Sequence, residues 1–116
     1  MGVGKDAMKE VVKTINANES IKDLFKNWTK IAAYDLEGED GPFHIIHKAD
    51  GSCEFKEGAP DKASFTFKTT TELWAQIVKG EKNAQKEFFA KNLKVEGDVM
   101  ATLKLNEALK KAGEML

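Results

Sequence analysis

The stretch Phe88–Leu105, FFAKNLKVEGDVMATLKL, contains the features that decide the fold of this chain. An aromatic pair ends one helical run, and a short strand is expected over Leu93–Val95. Gly97 then allows a sharp turn of the backbone without steric cost. Asp98 is a favoured N-cap because its side-chain oxygen accepts hydrogen bonds from the first turn of a helix. The pattern therefore predicts a strand, a tight turn and a new helix that begins at Val99.

The helix that begins at Val99 has a distinctive apolar face. Met100 and Leu103 share that face, and Leu105 lies just beyond them. A flexible thioether beside branched aliphatic side chains suits a surface that adapts to what it contacts. Two interpretations are open: the helix seals a hydrophobic core, or it forms a lid over an apolar ligand.

The same stretch resembles the C-terminal signature of the sterol carrier protein-2 family, small intracellular lipid-binding domains. In that family an aromatic pair, a Leu-Lys strand and a Gly-Asn or Gly-Asp step lead into a helix ending in Lys-Leu. The matching positions here are Phe88, Phe89, Leu93, Lys94, Gly97, Asp98, Met100, Lys104 and Leu105. The resemblance extends over most of the chain, but upstream of about Thr70 it rests on pattern and spacing.

Upstream of this stretch, alternating apolar residues and turn residues predict four further strands. Asp50-Gly51, flanked by β-forming residues, is a strong signal for a tight hairpin between the second and third of them. The expected strands are Ile31–Leu36, Phe43–Lys48, Cys53–Lys56 and Ala63–Lys68.

Helical spacing of apolar residues predicts helices before and after the strands. Ser20 is expected to cap a short second turn, Thr69–Thr71 the helix that ends at Gly80, and Asn83 the next one. The regions with this spacing are Ala7–Ile15, residues 72–79, Ala84–Lys91 and the helix from Val99.

Runs of strands followed by helices indicate an α+β protein whose five-stranded, mostly antiparallel sheet is covered by helices on one face. The resemblance implies the strand order 3-2-1-4-5. No linker or repeat divides the sequence, so residues 1–116 are expected to form a single SCP-2-like lipid-binding domain.

Composition excludes several classes of protein. Of the 116 residues, 41% are hydrophobic and 32% charged, with a net charge of −1, which is typical of a globular domain. Interspersed charges provide no nucleic-acid surface, and the apolar runs are too short for a transmembrane helix. The absence of an apolar signal-peptide core and the single cysteine, Cys53, predict a cytoplasmic protein.

No catalytic residue, metal ligand set or cofactor motif is predicted. His44 and His47 are three apart in a strand, so they point to opposite faces and cannot share a metal. A nucleophilic Cys53 would need a base held by a third group, and the sequence places none against it. Phosphate-binding and nucleophile-elbow motifs are also missing. The chain is therefore expected not to be an enzyme.

Several predicted helices carry adjacent apolar residues, which present a broader apolar arc than one contact requires. By itself this pattern favours an ordinary core, whereas the resemblance implies an apolar tunnel between the sheet and the helices. The candidate pocket residues are Phe43, Ile45, His47, Phe65, Phe67, Leu73, Trp74, Ile77, Phe88, Phe89, Val99, Met100, Leu103 and Leu105.

His47 departs from the pattern of the family, because it occupies a position that is usually aliphatic. Either it supplies a polar group at one end of the cavity, or it is a histidine at the margin of the sheet.

Two functions are compatible with these residues. The resemblance implies a lipid carrier that holds a fatty acid, fatty acyl-CoA or sterol-like molecule, with transient membrane contact as a further expectation. The alternative is a non-catalytic interaction or substrate-presenting module of the same fold with a filled core. The sequence does not fix the oligomeric state.

Overall fold

A computed structural model describes residues 2–115 of the chain, which form five helices and five strands. The helices are α1 (Val3–Ala17), α2 (Glu19–Leu24), α3 (Thr71–Val78), α4 (Ala84–Phe89) and α5 (Thr102–Met115). A 3₁₀ turn, Val99–Ala101, leads directly into α5. The strands are β1 (Ile31–Glu37), β2 (Phe43–His47), β3 (Cys53–Glu57), β4 (Phe65–Thr70) and β5 (Lys94–Gly97).

The five strands form one sheet in the order β3-β2-β1-β4-β5. β1 and β4 run parallel, and the other three neighbouring pairs are antiparallel. The predicted α+β class, mostly antiparallel sheet and strand order are confirmed. The parallel pair arises because β2 and β3 form a hairpin beside one edge of β1, after which the chain crosses to its other edge.

One face of the sheet packs against the helices. Tyr34 lies opposite Phe43 on β2 and opposite Phe67 on β4, so the three rings share that face. These rings are at most 1% exposed. The helices complete the core with apolar residues at helical spacing, which are Met8, Val11, Ile15, Trp74, Val78, Leu105, Ala108 and Leu109.

The hairpin predicted at Asp50-Gly51 is confirmed. The Lys48 N–H donates to the Ser52 carbonyl at 2.9 Å, and the Gly51 N–H donates to the Lys48 carbonyl at 3.0 Å. Gly51 has a φ of +91°, and a Cβ atom there would overlap the backbone carbonyl of Lys22. Glycine is therefore required both by the turn and by the close approach of α2.

Three of the predicted helix caps are confirmed, and one is corrected. The side chains of Thr70, Asn83 and Asp98 accept backbone hydrogen bonds at the starts of α3, α4 and the 3₁₀ turn. The cap of α2 is Asn18, not Ser20, because the Asn18 Oδ1 accepts from the N–H groups of Ser20 and Ile21. Ser20 therefore belongs to the first turn of α2 itself.

The ends of β1, β2 and β3 differ from the predicted ends by one residue each, and β4 and β5 differ more. β4 begins at Phe65, and Ser64 lies in the loop before it. There the Ser64 N–H donates to the Ile31 carbonyl, and the Ile31 N–H donates to the Ser64 hydroxyl oxygen. Thr69 lies in the strand, where its hydroxyl donates to the Asn92 carbonyl at 2.8 Å. β5 covers Lys94–Gly97 instead of Leu93–Val95 because pairing with β4 continues to its last residue.

Candidate functional site

A surface cleft of about 900 Å³ lies between the α3–α4 region and α5. Its first wall consists of the end of α3, the connection to α4 and the first turn of α4. Its second wall is one face of α5. The residues that line it are Ile77, Val78, Lys79, Gly80, Glu81, Lys82, Asn83, Ala84, Gln85, Lys86, Glu87, Leu103, Asn106, Glu107, Leu109, Lys110 and Glu114.

The base of this cleft is apolar and its rim is charged. Ile77, Val78 and Leu109 line it, are at most 8% exposed and belong to the hydrophobic core. Four lysine and four glutamate side chains surround this base, contributed by the α3–α4 connection, α4 and α5. The cleft thus joins solvent to the apolar layer between the helices and the sheet.

The face of α5 that borders the cleft follows helical spacing. Leu103, Asn106 and Lys110 are three or four residues apart, so their side chains occupy one stripe of the helix. Leu103 is 48% exposed, whereas Leu105 and Ala108 point into the core. The Oδ1 atom of Asn106 is buried and has no hydrogen-bond partner among the described residues, so it is an acceptor available at the cleft.

A cluster of aromatic rings fills the sheet surface beneath α3. The ring centroid of Tyr34 lies 4.9 Å from that of Phe43, 5.4 Å from Phe67 and 5.3 Å from Trp74. Phe67 and Trp74 are 4.8 Å apart. These are direct ring contacts, so no ligand lies between these rings in this conformation.

Two polar atoms inside this aromatic cluster lack hydrogen bonds among the described residues, namely the Tyr34 hydroxyl and the Trp74 Nε1. Both side chains are completely buried. Burial raises the pKa of Tyr34 well above its usual value, so the hydroxyl stays protonated.

His47 is also buried without a hydrogen bond to its ring. It is 3% exposed, and its ring lies 4.8 Å from the rings of both Phe25 and Trp28. Neither ring nitrogen has a partner among the described residues. Burial lowers the pKa of His47 to about 4, so the imidazole is neutral at neutral pH. The histidine is at the end of β2, but it lies inside the core rather than at an exposed margin.

Eight of the fourteen candidate pocket residues lie together in the core. They are Phe43, Ile45, His47, Phe65, Phe67, Trp74, Ile77 and Leu105, each at most 8% exposed. Leu73 and Phe88 are partly buried. Two of the fourteen, Ile77 and Leu103, line the cleft.

The prediction that adjacent apolar residues form a broad apolar arc against the rest of the fold is wrong for two pairs, Phe88–Phe89 and Val99–Met100. Phe89 and Met100 are 79% and 74% exposed, and Val99 is 42% exposed. None of the residues of α4 is buried. α4 has only six residues, and on the 3₁₀ turn Ala101 takes the buried position, so Met100 faces outward.

Sequence reasoning missed five residues of the cleft that bear on its chemistry: Val78, Ala84, Asn106, Leu109 and Lys110. Val78 follows Trp74 by four positions and Leu109 follows Leu105 by four, so helical spacing was a usable signal for both. Ala84, Asn106 and Lys110 carry no such signal, because their position at the cleft depends on how α4 and α5 pack.

A second cleft, of about 490 Å³, lies at the start of α1 and is held by ion pairs. The buried Lys5 ammonium lies 2.7 Å from Asp40 and 2.9 Å from Glu57. Hydrogen bonds to Asp40 and Glu57 raise the pKa of Lys5, and the same ammonium lowers the pKa of Asp40. The Glu39 carboxylate accepts the backbone N–H of Lys5 at 2.9 Å. The charges here satisfy one another, which indicates a structural network.

The histidines and the cysteine form no reactive constellation in the described part of the chain. The His44 Nδ1 donates to the Gly58 carbonyl at 2.7 Å. Cys53 is buried, and burial raises its pKa to about 12, which keeps the thiol protonated. Within residues 2–115 no three histidine, cysteine or acidic side chains are grouped as a metal site would need.

None of the helices described between residues 2 and 115 has the length and hydropathy needed to cross a membrane.

No curated protein matches the sequence significantly.

Solved structures with the same fold include sterol carrier proteins. Sterol carrier protein 2 from Yarrowia lipolytica, in its apo form, is 21% identical, with a TM-score of 0.67 over 90% of this chain and 88% of that chain. Sterol carrier protein-2 like-3 from Aedes aegypti is 12% identical, with a TM-score of 0.66 over 92% of this chain and 96% of that chain. These likenesses show the fold.

An enzyme also contains this fold. The inverting sec-alkylsulfatase Pisa1 from Pseudomonas sp. is 19% identical over 77% of this chain, with a TM-score of 0.65. The chain spans only 14% of the length of that sulfatase. The similarity is therefore to a small part of the enzyme.

The sequence matches the SCP-2 sterol transfer family over residues 9–110, which is most of the chain. Domains of this family generally bind and carry lipids without catalysing a reaction. Together with the strand order and the cleft beside α5, this match is decisive: the chain belongs to the SCP-2 sterol transfer family.

Proposed function

We propose that residues 1–116 act as one cytoplasmic lipid-binding domain that carries a fatty acid, fatty acyl-CoA or sterol-like ligand. The ligand lies in the apolar layer between the sheet and the helices and enters through the cleft beside α5. No bond is made or broken in this function, because the domain provides only a dry environment for an insoluble molecule.

The observation that carries this proposal is the apolar base of the cleft. Ile77, Val78 and Leu109 belong to the core and line the cleft at the same time. The volume of about 900 Å³ lies within the range of roughly 300–1,000 Å³ that is usual for small-molecule sites. A ligand at this position contacts the core directly.

The energetics of such a site are favourable. Burying one methylene group stabilises a complex by about 0.8 kcal/mol, so a chain of about 16 carbons gains roughly 10 kcal/mol before costs. Loss of translational freedom and ordering of side chains offset part of that gain. Binding in the micromolar range or tighter is therefore expected.

The second candidate function is an interaction or substrate-presenting module with a filled core. The direct contacts among Tyr34, Phe43, Phe67 and Trp74 favour it, because these rings fill the space above the centre of the sheet. A lipid carrier of this sequence must separate some of these rings or keep its ligand nearer to α5.

A fluorescent fatty acid titrated into the protein separates the two candidates. Saturable 1:1 binding is expected for the carrier, and Leu103→Trp should weaken it by at least about tenfold by narrowing the mouth of the cleft. Leu103 is 48% exposed, so the change should alter the free energy of unfolding by no more than about 0.5 kcal/mol. Val3→Trp, at a site that is 44% exposed and does not line the cleft, is the matched control.

Absence of saturable binding by the unmodified chain would contradict the carrier and favour the filled-core module. Equal affinities of Leu103→Trp and Val3→Trp would instead show that ligand reaches the core by another route.

A further inference from the structure

Two hydrogen-bond donors are buried without acceptors in the aromatic cluster of Tyr34, Phe43, Phe67 and Trp74. The Tyr34 hydroxyl and the Trp74 Nε1 have no hydrogen-bond partner among the described residues, and both side chains are completely buried. Most buried polar groups in proteins are hydrogen-bonded, because a buried donor without an acceptor destabilises the folded state. These two donors are therefore candidates for contact with a bound molecule.

The packing of the Tyr34 ring directs its hydroxyl toward the helices. The ring lies between its neighbours on β2 and β4, with an interplanar angle of 9° to Phe43 and 26° to Phe67. A side chain on a strand stands roughly perpendicular to the sheet. The hydroxyl is at the far end of the ring, so it points away from β1 and into the layer between the sheet and the helices.

Trp74 connects this position to the cleft beside α5. Its ring centroid lies 5.3 Å from that of Tyr34, so the two donors border one region of the core. On α3, Trp74 precedes Ile77 and Val78 by three and four residues, which places these side chains on one side of the helix. Ile77 and Val78 line the base of the cleft. The two donors therefore lie about one helical turn beyond that base, at the inner end of the proposed ligand path.

Both groups donate hydrogen bonds at neutral pH. The indole N–H is a donor only. The Tyr34 hydroxyl keeps its proton, because burial raises its pKa well above the usual value. A ligand group that pairs with the N–H and the O–H must therefore be a hydrogen-bond acceptor.

The acceptor must also be uncharged. A carboxylate at this depth would need a cation, since a buried and unpaired charge strongly destabilises a complex. The Lys5 ammonium lies 5.8 Å from the Phe43 ring centroid, but it is already paired with Asp40 at 2.7 Å and Glu57 at 2.9 Å. The four lysines of the cleft are exposed at its rim. A carbonyl oxygen has two lone pairs and no charge, so it fits the two donors.

We propose that Tyr34 and Trp74 form a subsite that binds an uncharged carbonyl group, as in a ketone or an ester, at the buried end of the ligand. The proposal rests on the lipid-carrier function and narrows the class of ligand that the carrier prefers. The rings of the cluster contact one another in this structure, so binding requires a change of side-chain conformation, which is common when ligands bind.

Tyr34→Phe tests the subsite directly, because it removes the hydroxyl and keeps the ring. Binding of radiolabelled methyl dodecyl ketone to the full chain should weaken at least about fivefold, since one hydrogen bond is lost. Binding of tetradecane, which has the same carbon skeleton, should change less than about twofold, because it makes no hydrogen bond. Equal losses for the two compounds would overturn the subsite. An equal or larger loss for the alcohol obtained by reducing the ketone would overturn the assignment to a carbonyl.

The stability of the ligand-free protein provides a second readout. Tyr34→Phe should leave the melting temperature unchanged or raise it, because it removes a buried group without a partner. Thr102→Val is the matched control, since Thr102 is buried and its hydroxyl donates to the Val99 carbonyl at 2.6 Å. This control should lower the melting temperature and change the ketone affinity less than about twofold. A lower melting temperature for Tyr34→Phe would overturn the proposal, because it would show that the hydroxyl already has a partner such as a buried water.

The indole N–H proton resonance of Trp74 reports on the second donor without a mutation. It should move downfield when the ketone binds and accepts a hydrogen bond, but not when tetradecane binds. The indole N–H of Trp28 is the internal control, because the Trp28 ring contacts Phe25 and His47 instead. The same movement with both ligands would overturn the assignment of Trp74.

The failures of the two proposals are distinguishable. A titration of the unmodified chain with a fluorescent fatty acid tests the carrier function independently of the subsite. Fatty-acid binding, together with equal responses of ketone and tetradecane to Tyr34→Phe, would retain the carrier and reject the subsite. Absence of binding for the fatty acid, the ketone and tetradecane would reject both.

Discussion

The aromatic side chains on the sheet and those at the end of α4 lie in opposite environments. Tyr34, Phe43 and Trp74 are completely buried, and the ring of Tyr34 contacts the other two at centroid distances of 4.9 and 5.3 Å. Phe89 is 79% exposed although its neighbour Phe88 contacts it at 5.7 Å. The two regions have similar aromatic content but different surroundings. The core that contains the sheet residues includes side chains of α1 and α3, whereas none of the residues of α4 is buried.

This comparison separates stability from interaction. Rings that fill the core contribute free energy of unfolding through burial and packing. The exposed ring of Phe89 and the exposed thioether of Met100 contribute little to the free energy of unfolding. Mutations of the buried aromatic rings should therefore change the free energy of unfolding more than mutations of the exposed Phe89 and Met100.

The largest expected effect is the contrast between two aromatic truncations. Trp74→Ala should reduce the free energy of unfolding by about 3–5 kcal/mol, because it removes a completely buried ring and leaves a cavity. Phe89→Ala should change it by no more than about 0.5 kcal/mol. Urea unfolding of both variants measures the difference. Similar losses in the two would break the comparison, since they would mean that Phe89 is packed in solution.

A second effect concerns the buried histidine. Burial lowers the pKa of His47 to about 4 in the folded protein, and the unfolded chain has the ordinary value of about 6.5. The unfolded state therefore binds the proton more readily as the pH falls below about 6.5. His47 should contribute full stability above about pH 6.5, and about 3 kcal/mol of it should be lost as the pH falls from about 6.5 to about 4.

His47→Phe isolates this contribution. A phenyl ring can keep the contacts with Phe25 and Trp28 but cannot bind a proton, so the loss of stability on acidification should be smaller by about 3 kcal/mol. His44→Asn, which can retain a donor toward the Gly58 carbonyl, is the matched control and should keep the original dependence. Parallel curves for His47→Phe and the unmodified chain would show that His47 is not buried as described.

The smallest expected effect concerns Gly97, the last residue of β5, which precedes the 3₁₀ turn. Gly97 has a φ of +99°, and a Cβ there would lie 2.6 Å from the Ser64 carbonyl oxygen. Gly58 has a φ of +90° with no atom within 4 Å of such a Cβ. Gly58→Ala should cost about 1 kcal/mol for the backbone conformation alone, and Gly97→Ala about 1 kcal/mol more for the collision.

Thermal or urea unfolding of the two alanine variants provides that measurement. Equal costs would indicate that β5 can move away from β4 without loss.

Local signals predicted much of the fold. Asp50-Gly51 located the hairpin, and Asn83 and Asp98 located helix starts, because turns and caps depend on a few neighbouring residues. Strand order did not follow from these signals. It came from the resemblance carried by the stretch Phe88–Leu105, and the cap at Asn18 was missed because Ser20 offered an equally good local alternative.

The candidate site was predicted less completely. Alternation along strands and helical spacing predict core positions such as Phe43 and Trp74, because these patterns indicate which side of a strand or helix is apolar. They do not report whether another element covers that side. Phe89 and Met100 have the apolar character of core residues, and only their place outside the contacts of the sheet leaves them in solvent.

The sequence by itself determined which segments are helices and strands, the turns that join most of them, and the apolar side of each, because these depend on residues close together in the chain. The tertiary structure alone decided that β1 and β4 run parallel, that the ring of His47 contacts the rings of Phe25 and Trp28, and that Phe89 and Met100 are exposed. The physical reason is that burial and charge pairing are properties of what packs against a residue, and those partners lie far away in the sequence.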